Sequence, residues 1–134
     1  MKKDPLKIQS HVILGMLILQ YLFGMAVNLF VQFPSNANEK QLWQFAVKQF
    51  PLTVHMILGG LLVIGGVVLL IRSIRKKDKN WIWASSIGLF SMLVASFTGA
   101  QFIPTQQDIY SYIMAITFIV AFAAYGWGLY KAKK

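Results

Sequence analysis

PLTVHMILGGLLVIGGVVLLI, residues 51–71, decides the fold. The stretch carries no acidic or basic residue apart from His55. A helix rises about 1.5 Å per residue, so this one is long enough to cross the hydrocarbon core of a bilayer. Pro51 opens it and basic residues from Arg72 onward close it. It holds two glycine pairs, Gly59-Gly60 and Gly65-Gly66. In water glycine weakens a helix, but in lipid it lets a neighbouring backbone come close. The segment is therefore expected to pack on other helices, with Gly59 and Gly66 on one face. His55 sits about one turn inside the proline end, and a histidine within a membrane span is a functional candidate by default.

Three further apolar blocks flank this one. The predicted spans are 11–31, 51–71, 81–102 and 109–130. Charged residues make up only 13% of the 134, too few to cover a soluble domain of this size. The expected fold is all-α: an integral membrane protein with one four-helix transmembrane bundle, up-down-up-down. A basic start before an apolar run also describes a signal peptide. The first block is too long for that and no small-residue cleavage pattern follows it, so it is read as an uncleaved span. Net charge is +9, which in a soluble protein would raise nucleic acid as a partner. Here the charges sit in short clusters between apolar blocks, so no nucleic-acid partner is expected and the lipid bilayer is. With no cysteine, the chain has no disulfide, thiolate metal site or thiol nucleophile.

The same clusters set the expected orientation. Eleven of the thirteen basic residues lie before the first span, between the second and third, or after the fourth. Only Lys40 and Lys48 fall on the other side. Basic loops stay inside, so both termini are expected to be cytoplasmic, in a multi-pass protein of the cell membrane. In the loop between the first two spans, Leu42, Trp43, Ala46, Val47 and Phe50 recur at helical spacing. They suggest a short amphipathic helix at the interface, with a partly ordered loop as the alternative. Trp81 and Trp83 are expected as interfacial anchors of the third span.

On this orientation His55 lies near the outer surface and His11 at the inner one, about 25–30 Å apart, too far to share a metal or haem. His11 is read as an ordinary interfacial residue. Polar and ligating groups collect in the outer half: Met25, Asn28 and Gln32, then Ser96, Thr98 and Gln101, then Tyr110, Ser111, Tyr112 and Met114. The inner half offers Gln20, Ser85 and Ser86. Polar groups in hydrocarbon need partners, so the outer set is expected to cluster inside the bundle. It forms either a polar knot that joins helices or a pocket for a cofactor or an amphipathic ligand. The acids Asp4, Glu39, Asp78 and Asp108 all fall at ends or loops, which leaves no intramembrane carboxylate for a proton relay. The scattered methionines are read as packing.

This layout resembles one four-helix half of the haem A synthases, proteins built from two such halves in tandem. The shared features are the histidine just inside the outer end of the second span, Gly24 in the first, Phe97-Thr98-Gly99-Ala100 late in the third, and the basic inner turn. The chain departs from the family at three places. Met56 follows His55 where the family has arginine. No histidine stands in Ile109–Met114, and no acid matches the catalytic one of the first span, where Asn28 is the nearest polar group. Haem A synthesis is therefore not expected. The resemblance implies a haem-protein-like bundle with His55 as ligand to the iron of a haem b. Met114 at matching depth would be the second ligand, since His/Met pairs hold haem iron. Asn28, Gln101 and Tyr112 would complete the pocket.

Two functional readings follow. The favoured one is a non-catalytic membrane protein, an accessory or assembly subunit with a membrane-protein partner or further copies of itself. The other is a b-type haem- or quinone-binding redox module using His55. A small transporter is a weaker third, because the spans lack embedded charge and a broken helix.

Overall fold

The computed structural model describes residues 4–132, so the expectations on Lys2, Lys3, Lys133 and Lys134 lie outside the described residues. Five helices account for most of the chain: α1 (Pro5–Phe30), α2 (Glu39–Ala46), α3 (Phe50–Arg75), α4 (Lys79–Thr105) and α5 (Asp108–Lys131). Four of them are long and apolar enough to cross a membrane. Each overruns its predicted span at one end or both. Capping explains much of the extension. The Asp4 carboxylate accepts from Leu6 N–H at 3.1 Å, with Pro5 pre-set for the first turn, so α1 starts well before His11. The Asp78 side chain accepts from Trp81 N–H and starts α4 at Lys79. Pro104 lies in the last turn of α4, which stops at Thr105, and Gln106 turns left-handed at φ 52°.

The α3–α4 turn is a Schellman motif. Lys77 N–H bonds Ile74 O at 3.0 Å and Asp78 N–H bonds Ser73 O at 3.2 Å. Lys77 occupies the left-handed position, φ 55°, where glycine is usual. Round the bundle, α1 packs on α3 and α5, and α4 packs on α3 and α5. Among these four contacts α4–α5 is the most extensive and α1–α5 the slightest.

The dense core lies toward the end of the bundle that carries the α3–α4 turn, here the basic end. Leu6, Ile13, Leu17, Leu62, Leu69, Trp81, Ala84, Met92, Ala121 and Tyr125 bury one another there. Trp81 is a correction to the expected pair of anchors. It is only 1% exposed, whereas Trp83 is 66% exposed. The cause is glycine on the facing helix: a Cβ at Gly128 would stand 2.8 Å from the Trp81 ring. Gly88 does the same for Tyr125, with its absent Cβ only 2.5 Å from the ring. Such packing contributes dispersion contacts, since lipid already satisfies the hydrophobic effect.

At the opposite end, the loop end, α2 forms where the amphipathic spacing predicts it. Asn38 and Gln41 make a reciprocal capping box, Asn38 N–H to Gln41 Oε1 and Gln41 N–H to Asn38 Oδ1. Its apolar face, Leu42 and Ala46, is buried with Val27, Leu52 and Ile103. The helix thus roofs the loop end, with Phe33 wedged between Phe45 and Phe102.

Candidate functional site

Pro51 in the first turn of α3 leaves His55 in the second turn, half-buried against α1. Both ring nitrogens go to one residue. His55 Nδ1 is 3.1 Å from the main-chain oxygen of Gln20, and His55 Nε2 is 3.2 Å from the Gln20 side-chain nitrogen. A carbonyl oxygen can only accept, so Nδ1 carries the proton and donates. Nε2 is then the acceptor of a Gln20 amide N–H. With the Gln20 amide in this orientation, both ring nitrogens of His55 are taken up by α1. Two glycines make the approach feasible. A Cβ at Gly24 would stand 3.1 Å from His55 Cε1, and one at Gly59 would stand 3.3 Å from Gln20 Nε2. The Gln20 Oε1 atom is left buried without a partner.

The other expected site residues do not gather round His55. Met114 packs on α4, where a Cβ at Gly99 would stand 3.1 Å from its sulfur. His55 is thus committed to the α1–α3 contact and Met114 to the α4–α5 contact. Asn28 is exposed, Tyr112 is 64% exposed, and Gln101 is half-buried. None of these three makes a side-chain hydrogen bond to His55; its partner is Gln20 alone. A haem held between His55 and Met114 needs a free Nε2 lone pair and both side chains turned to one plane. The residues present do not fit it: the Gln20 side chain lies 3.2 Å from His55 Nε2, where the iron would bind, and Met114 packs on a different seam. Among the described residues no three of His, Asp or Glu come together to hold a metal ion. Two shallow, open depressions lie at the loop end, one lined by Asn38, Lys40, Trp43 and Val47, the other by Pro34–Ala37 and Gln41.

Gln20 is the residue that the sequence reading placed elsewhere, in the plainer half. Its visible signal was an amide in the middle of the apolar run of α1, one turn before Gly24 and well separated from Asn28 near the end of that run.

A second polar constellation joins α1 to α3 at the basic end. Gln9 donates through Nε2 to Gly65 O at 2.8 Å and accepts from Arg72 Nη1 at 2.9 Å. Lys76 and Asp4 form an ion pair at 2.7 Å. Ser10 Oγ reaches Tyr125 O at 3.5 Å, while the Tyr125 hydroxyl and the Trp81 indole N–H are buried without partners. Every interhelical polar contact in this set holds helices to one another. Set against known proteins, the chain matches no family model, no curated protein and no solved structure.

Proposed function

We propose that this chain is a non-catalytic membrane protein, an accessory or assembly subunit of the cell membrane, with His55 as a latch between its first two spans. The observation that carries the reading is the double engagement of His55 by Gln20, which turns the only histidine deep within a span into a helix–helix connector. The chain passes up-down-up-down with both termini cytoplasmic, on the strength of its charge distribution. A membrane-protein partner or a second copy of the chain accounts for Gly15 and Gly60, exposed positions with open space where a Cβ would be. In lipid, such positions let another helix approach closely.

Purification in mild detergent tests this. The protein is expected to run as a complex with another membrane protein or with itself. It is also expected to show no Soret band in a reduced-minus-oxidised spectrum after haemin is added. A lone monomer would sink the subunit reading. A Soret band, or retained quinone, that disappears in His55→Ala would replace it with the redox module.

A further inference from the structure

Five cations crowd the α3–α4 turn: Arg72, Arg75, Lys76, Lys77 and Lys79. Two of them are paired with α1 and its cap, Arg72 with Gln9 at 2.9 Å and Lys76 with Asp4 at 2.7 Å. The one acid in the turn, Asp78, is spent on the N-terminus of α4. Arg75, Lys77 and Lys79 are exposed, with no ion pair or hydrogen bond to their side chains among the described residues. Beside them lie exposed Ile71 and Ile74 on α3, and exposed Trp83 one turn beyond Lys79 on α4. The surface is cationic at its tip and apolar just below, with a tryptophan at the boundary. That sequence of chemistries matches the headgroup and upper acyl region of an anionic phospholipid.

Lys77 sharpens the match. It holds the left-handed position of the Schellman turn, where a side chain costs conformational energy that glycine would not. Its neighbours of like charge add repulsion. We propose that the α3–α4 turn is a docking surface for anionic phospholipid, with Lys77, Arg75 and Lys79 contacting the phosphate. The inference goes beyond the subunit reading and does not depend on it; it needs only that α3 and α4 cross the membrane. A soluble acidic protein would have no use for the apolar girdle directly beneath the cations.

The test uses the full chain in mild detergent. Apparent affinities for dioleoyl phosphatidylglycerol and dioleoyl phosphatidylcholine are measured by native mass spectrometry, alongside thermal unfolding. The parent is expected to prefer phosphatidylglycerol, with a preference that weakens as salt is raised. Lys77→Gly should melt higher in phosphatidylcholine micelles, because the turn is relieved. It should also bind phosphatidylglycerol about five-fold more weakly, the share of one surface cation. Arg75→Gln with Lys79→Gln should weaken it further without raising the melting temperature. Equal affinity of the parent for both lipids would overturn the proposal. So would an undiminished preference in the Arg75→Gln, Lys79→Gln variant, or in Lys77→Gly. Inorganic phosphate or an acidic peptide that displaces the lipid at equal concentration would reassign the surface to soluble anions.

Discussion

His55 can be perturbed from either side of its contact with Gln20, and the two sides predict different outcomes. Gln20→Leu leaves His55 Nε2 without its partner in the half-buried α1–α3 contact, at a cost of about 1–3 kcal/mol. His55→Leu removes both hydrogen bonds and leaves the Gln20 amide bare, at a similar cost. The double variant Gln20→Leu with His55→Leu replaces both polar partners with apolar ones and should recover most of the stability. Chemical unfolding in detergent reads the cycle. If the double variant is as unstable as the sum of the singles, the two residues are not a latch. Gly24→Ala belongs to the same site. Its new Cβ would meet His55 Cε1 at 3.1 Å, and the ring cannot retreat without lengthening two hydrogen bonds, so a lower melting temperature is expected. The sequence located His55 and the need for polar partners inside the bundle. It misplaced the partner, because depth was counted along straight helices. Tilt and rotation come from packing, which a residue count does not carry.

At the scale of helices, α4 and α5 lock through aromatic rings set over glycines. Gly88→Ala would drive a methyl to 2.5 Å from the rigid Tyr125 ring and should destabilise by at least about 1–3 kcal/mol. Gly66→Ala meets the flexible end of Met92 at 2.6 Å and, less closely, the Tyr125 hydroxyl at 3.1 Å and Leu89 Cδ1 at 3.2 Å, and should cost less. Gly60→Ala meets nothing within 4 Å and should be close to neutral. Thermal unfolding of the three variants ranks them; a neutral Gly88→Ala would mean that the α4–α5 seam is loose. The sequence flagged the glycines of α3 as contact residues but paired Gly59 with Gly66 on one face. The structure gives Gly59 to α1 and Gly66 to α4 and α5, because a helix inside a ring of neighbours touches two of them.

The α1–α3 pair also has a pH term. Burial alone would raise the Asp4 carboxyl. The hydrogen bond from Lys76, the Leu6 N–H and the charges of Lys76 and Lys7 outweigh it and hold the pKa below the ordinary 3.8. A pKa depressed by folding contributes stability above the unfolded value that is lost as pH falls through the folded one. The melting temperature should therefore drop below pH 3.8, and less steeply in Asp4→Asn, which keeps a cap but not the ion pair. At neutral pH the exposed pair is worth less than about 1 kcal/mol. An identical acid limb in Asp4→Asn would remove Asp4 from the account.

The whole molecule is where the sequence was most legible. Four apolar helices follow from length and hydropathy alone, because each must satisfy its own backbone in lipid. Which end faces which side follows only from charge, and it is testable because the chain contains no cysteine. Ser35, in the loop before α2, and Asn80, in the first turn of α4, are both exposed and lie at opposite ends of the bundle. Ser35→Cys and Asn80→Cys each give a single labelling site. With a membrane-impermeant maleimide on intact cells, Ser35→Cys should label and Asn80→Cys should not. After permeabilisation both should label. The expected pattern rests on the five basic residues around the α3–α4 turn, which anionic lipid and the membrane potential favour on the inner side, against only Lys40 and Lys48 at the loop end. The reverse labelling pattern would invert the orientation. Labelling of both sites on intact cells would mean that α3 does not cross the membrane, and the four-span reading would fail with it.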